Sequence, residues 1–176
     1  RHGIDPQEFA AFMHYLTPYT TVRDELALFD QVFNAVQLFD TPLVLDHGVF
    51  TVTDTAYAAR KTVLQLCAGL GLKPTDDEFL LIAAHTRSLL GSLKRDLATV
   101  SSLYRQARIA RLFGCTVAQL LTLAGLLGGQ PFRTALASGV LRAPANVHTP
   151  DILDVLMQLQ WAFDWLADSH QTIAQL

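Results

Sequence analysis

Residues 97–128 read LATVSSLYRQARIARLFGCTVAQLLTLAGLLG. In the first half, Val100, Leu103, Tyr104, Ala107 and Ala110 recur at the three-and-four spacing that lines one side of an α-helix. Ile109, Leu112 and Phe113 occupy the other side, so this helix is expected to lie between two neighbours. Gly114 ends it, because a residue without a Cβ enters the left-handed conformation of a helix C-terminus at no steric cost. Thr116 then opens a second helix, its hydroxyl placed to accept a free backbone N–H. That second helix is apolar nearly all round and is expected to be central. Helix, glycine stop and capped restart point to an all-α chain.

The same joint occurs three times: LGLKPTDDEF at 70–79, FGCTVAQLL at 113–121 and SHQTIAQL at 169–176. The last two share Thr-(Val/Ile)-Ala-Gln-Leu almost letter for letter. Their separations, about 43 and then 56 residues, are unequal, which argues against a solenoid of fixed period. A bundle built from repeated joints fits better.

Outward from this core the signals remain helical. Asp5, Pro6 and Glu8 form a capping arrangement before the stripe Phe9, Phe12, Met13 and Leu16. Residues 21–36 suggest a second helix with Val22, Leu26, Phe29, Phe33 and Val36 on one side. The stretch QLFDTPLVLDHGVFTVTD (37–54) breaks the pattern; β-branched and aromatic residues flank Asp46-His47-Gly48, which suits a short β-hairpin near residues 43–52 or an extended loop. Ala56, Ala59, Val63, Leu66 and Leu70 mark the next helix, with Gly69 and Gly71 as candidate stops. Thr75 and Glu78 stand at capping-box spacing for another. After a loop at 128–148, a helix from Thr149 and Pro150 carries two stripes. One is Ile152, Val155, Leu156, Leu159, Phe163 and Leu166; the other is Leu153, Met157, Trp161 and Trp165. The expected architecture is one helical domain over 1–176, a multi-helix orthogonal bundle of seven to eight helices.

Apolar residues make up 51% of the chain and charged ones only 16%, against about 25% in ordinary soluble domains. Such a surface is short of charge, which suggests that more protein covers part of it. The chain opens on Arg1 and closes inside a helix start, so it is expected to be a fragment of a much larger polypeptide. A net charge of −3 gives no footprint for nucleic acid. Leu112 to Phe132 is uncharged, but Gly, Thr, Gln and Pro interrupt it, and a buried helix explains it better than a membrane span. Cys67 and Cys115 make neither a disulfide framework nor a metal knuckle.

Chemistry is sparse. His2, His14, His47, His85, His148 and His170 include no pair at helical ligand spacing. Asp40, Asp46, His47 and Asp54 crowd one segment and are residue types of an acid–base site, but turn and cap roles account for them. GLGLKP at 69–74 follows a helix and lacks the third glycine of a dinucleotide loop. No catalytic, cofactor-binding or metal-binding residue is assigned. Lys94, Arg95, Arg105, Arg108 and Arg111 could suggest a phosphate stripe. The last three step backwards round a helix, however, and inter-helix pairing with a dipole contribution at the C-terminal end is the better account. Trp161 and Trp165 sit at core spacing, with an inter-domain contact as the second reading.

Leu103-Tyr104-Arg105, Ile109-Ala110, Gly114 with the leucine-rich run Val117 to Leu127, and later Trp165-Leu166 with Thr172 to Leu176, resemble the helical region of the A component (TcA-like) of bacterial insecticidal toxin complexes, shared with plasmid virulence A proteins. Residues 28–46 are similar to a Phe-Asn segment of that family. In this resemblance His170 stands where the family often has a helix-ending glycine, which leaves a left-handed cap there open. The resemblance implies a non-enzymatic structural shell segment of a secreted or cell-surface, pore-forming subunit that translocates a toxin. It implies contacts with other domains of the same chain and with neighbouring A subunits of a homo-pentamer, contacts with B and C components and the host membrane through other regions, and no cofactor. The alternative is a helical interaction module of an unrelated scaffold.

Overall fold

The computed structural model describes residues 3–20, 23, 25–35, 39–144 and 148–175. The elements are α1 (Pro6–Met13), α2 (Leu28–Phe33), α3 (Tyr57–Leu70), α4 (Asp77–Leu90), α5 (Leu97–Leu112), α6 (Val117–Ser138) and α7 (Ile152–Ser169), then a 3₁₀ turn at Ile173–Gln175. Among the described residues there is no sheet, and the fold is an all-α bundle, as the sequence indicates.

The three joints share one hydrogen-bond pattern. Each helix ends in a left-handed residue, Gly71, Gly114 or His170. The amide of that residue bonds back to Ala68, Arg111 or Ala167, and the next amide to Cys67, Ala110 or Leu166. This double closure satisfies carbonyls that would otherwise end the helix unpaired. The second and third joints then share a restart bond: the Thr116 and Thr172 amides donate to Gln119 and Gln175 Oε1. His170 therefore does form a left-handed cap (φ 55) without a glycine; the two backbone bonds hold it there against the Cβ penalty.

Other local expectations need correcting. The second helix is short, with N-cap Ala27 and C-cap Asn34. Asn34 replaces further helical turns by binding the Leu43 backbone in both directions, which draws the chain away. Leu26 is exposed, and the Val22 and Val36 of that stripe lie outside the described residues. No hairpin forms near 43–52. The Asp46-His47-Gly48 turn exists, with His47 left-handed (φ 61) and the Gly48 amide on Asp46. Its backbone pairs instead with Leu93 and Arg95, before α5. Asp76 rather than Thr75 stands at the start of α4, and Glu78 reaches across to accept the Val117 amide at the head of α6. Asp151 and Asp154, not Thr149, box the start of α7.

Helix α6 runs through most of the expected loop. It breaks at Gly129 (φ 64, ψ −150), a conformation closed to residues with a side chain, and restarts at once with Pro131. The uncharged stretch reads as core on composition alone. No single described helix is long and apolar enough to cross a membrane; α5 and α6 pass together but meet at 91°.

Candidate interaction surface

Helix α5 is the innermost element, touching α1, α3, α4 and α6. Its apolar face, Val100, Leu103, Ala107 and Ala110, is buried in the main cluster. Much of the rest of its circumference is buried as well and carries polar residues, Thr99, Ser101, Ser102, Arg105 and Gln106, beside Ile109. Ser101, Tyr104, Arg105 and Arg108, at helical spacing, all grip the first sixteen residues. Ser101 Oγ accepts the Leu16 amide, while Tyr104 and Arg108 both donate to Glu8. Burial alone would raise the Glu8 carboxyl, but the Arg108 and Tyr104 hydrogen bonds and the Arg108 charge outweigh it and hold it below the usual carboxylate range. Burial pushes the Tyr104 hydroxyl up, and the Glu8 charge adds to this.

Arg105 is 1% exposed. It donates to the carbonyls of Phe12 (2.7 Å), Ala11 (3.3 Å) and His14 (2.5 Å) at the end of α1, and to Ala137 (2.5 Å) at the end of α6. Its charge thus sits at the negative ends of two helices, where orphan carbonyls need donors. Burial lowers its pKa to about 10, which leaves it cationic at neutral pH. Gly139 makes room: a Cβ there would lie 2.2 Å from the guanidinium carbon. Arg111 repeats the device on Leu70 at the end of α3 (2.5 Å). Pairing between helices is therefore the role of these arginines, and each of the three serves different partners rather than a common anion.

On the α4 side, Gln106 donates to Thr86 and Ser102, and its carbonyl oxygen meets His85 Nδ1 at 2.8 Å. The other motif residues are dispersed. Asp46 forms a bidentate ion pair with Arg95 (2.6 and 2.8 Å), and that pair with the Gly48 amide lowers its pKa to about 2. Asp54 caps the Ala56 amide. His14 stacks on Tyr15, His47 and His170 occupy turns, His148 is exposed, and His2 lies outside the described residues. No group of three His, Cys, Asp or Glu among the described residues is placed to hold a metal. Burial raises the Cys67 and Cys115 thiols to about 12 and 11, away from reactive thiolate.

The feature that faces outward is apolar. Of the two stripes of α7, the first is buried at Ile152, Val155, Leu159 and Leu166. The second, Leu153, Met157, Trp161 and Trp165, is not core: Met157 is 72% and Trp161 62% exposed. Core spacing misled because α7 carries apolar residues on two faces and only one meets protein here. Trp161, Ala162, Trp165 and Leu166 line one wall of a groove of about 320 Å³; Leu123, Leu126 and Leu127 of α6 line the other. Leu126 itself is 59% exposed. A contiguous aromatic and leucine surface with no charged lining is the kind that marks a protein contact.

No protein-family profile matches the chain. Over its whole length the chain is 33% identical to toxin subunit YenA1 of Yersinia entomophaga, across 178 residues. It spans about 15% of that protein's length. The resemblance to toxin-complex A components read from the residues is thus borne out along the entire chain.

Proposed function

We propose, from the premise that the chain is similar throughout to a segment of a toxin subunit, that it is a non-enzymatic helical shell segment of a pore-forming, toxin-translocating A subunit. The observation that carries this reading is full-length similarity to 15% of a much longer toxin chain. The outward-facing Leu126, Trp161 and Trp165 support it, because a shell segment must present apolar surface to the rest of its polypeptide and to adjoining subunits. In this role the polar spine of α5 holds the bundle rigid, while α6 and α7 supply the contact face. Other domains of the same chain and copies of the A subunit are the partners of this segment. B and C components and the host membrane are reached through other regions of a secreted or surface-held particle.

The test is to recover the polypeptide carrying this sequence from its source, measure its mass and image it by electron microscopy. Ion conductance across lipid bilayers should then be recorded before and after a pH change. A chain of over roughly a thousand residues, as the 15% coverage implies, assembling into hollow particles and opening pores, is the expected result. A polypeptide of a few hundred residues without pore activity would remove the proposal.

A further inference from the structure

We infer that the groove between α6 and α7 is the seat of an eighth helix of the same polypeptide, one that begins at Thr172 and continues past Leu176. The inference rests on the reading above, that the chain is a segment of a longer protein.

The repeated joint carries the argument. At its second use the closure at Gly114 and the Thr116–Gln119 restart launch α6 at 91° to α5. The first turn of α6 is driven into the bundle, with Val117 and Leu120 fully buried. At its third use both closing backbone bonds are present around His170, and Thr172 repeats the amide bond to its glutamine. Ile173 stands at the place of Val117 and already packs against the core. The 3₁₀ turn it belongs to touches α6. An eighth helix therefore starts on the α6 side of α7, and the groove lies on that side: its walls at Trp165 and Leu166 are little more than a turn from the joint.

Chemistry agrees with position. The lining is leucine, tryptophan and alanine with no charged side chain, so the occupant is an amphipathic helix with its apolar face inward. Equivalence with α6 fixes which residues point in. Leu123 and Ala124, the next buried pair, lie seven and eight residues after Thr116, so the residues seven and eight past Thr172 should be apolar.

The experiment uses the full natural polypeptide carrying Leu126→Cys, labelled with a maleimide under native conditions and read by peptide mass mapping. Leu126 is an exposed position in the seven-helix bundle, and buried Cys67 is the internal control for an intact fold. The expected result is labelling at 126 roughly tenfold slower than in a variant whose eighth helix is broken by two prolines after Leu176, with Cys67 silent in both. A second variant with aspartates at the two inward positions should give the same release without breaking the backbone. Equal rates in intact and altered chains would overturn the inference. So would protection that disappears on dilution, which would mean a second copy fills the groove. A natural polypeptide ending at Leu176 would instead fail the pore test above and take the functional reading with it.

Discussion

Helices α5 and α6 are neighbours, joined at Gly114, yet they invert the usual relation between hydropathy and burial. Helix α5 carries serines, threonine, glutamine and arginines and is buried on nearly every side. Helix α6 is rich in leucine and breaks at Gly129, and it leaves Leu126 largely in solvent. The difference teaches that position in this bundle follows from satisfied polar groups as much as from apolar area. Every buried side-chain nitrogen and oxygen among the described residues has a partner. A polar helix is costly to bury only when its groups lose water and gain nothing. The apolar helix is exposed at Leu126, on the groove that it shares with α7.

The sharpest way to break this contrast is Arg105→Ala. It leaves four helix-terminal carbonyls without their donor and should cost about 3–5 kcal/mol in urea unfolding. Arg105→Met sharpens the point. If an apolar chain of similar length restores wild-type stability, the polar spine is dispensable and the contrast fails. Next comes a pair within α6: Leu120→Ala, at a fully buried site, should cost about 2–5 kcal/mol. Leu126→Ala, on the same helix, should change the isolated chain by no more than about 0.5 kcal/mol.

Acid probes the Glu8 end of the spine. The Glu8 pKa is lowered by folding, so its contribution is complete above its ordinary value and is lost as pH falls through the lowered one. Unfolding midpoints followed downward from pH 5 should therefore drop more steeply for the wild type than for Glu8→Gln. Parallel curves would detach Glu8 from stability. The smallest effect concerns the joint. His170→Gly relieves a left-handed non-glycine residue and should add about 1 kcal/mol, read as a raised melting temperature. A loss instead would mean the imidazole itself is needed there.

Much of the fold is legible in the residues because helix boundaries are written in short-range chemistry. The Gly114 stop, the Thr116 cap and the Asp5-Pro6 start each act within a few residues, and each stands where spacing puts it. What fails is long-range. Nothing near Asn34 reveals that it will bind Leu43 and end α2 early. The β-branched residues around Gly48 suit an extended chain, but the partner that makes it extended is Arg95, far along the sequence. Hydropathy places α6 centrally, and it does pack against α4, α5 and α7, but α5 is the more deeply buried of the two. The spacing of Ser101, Tyr104, Arg105 and Arg108 is the available signal: four polar residues on one helical face, beside the apolar face of Val100, Leu103, Ala107 and Ala110. The contact surface was half legible, since two apolar stripes on α7 can be counted but not told apart without knowing which one meets protein.

The tie between Arg105 and the α1 carbonyls also sets an order of events. Arg105 is synthesised 93 residues after Phe12, and at about 5–20 residues per second the ribosome needs roughly 5–20 s to reach it. Until then α1 lacks its α5 partner, and its apolar side is uncovered by that helix. This helix is thus made well before the residue that ties it down, and a nascent chain stalled before Arg105 should be where protease and chaperone find α1 most open.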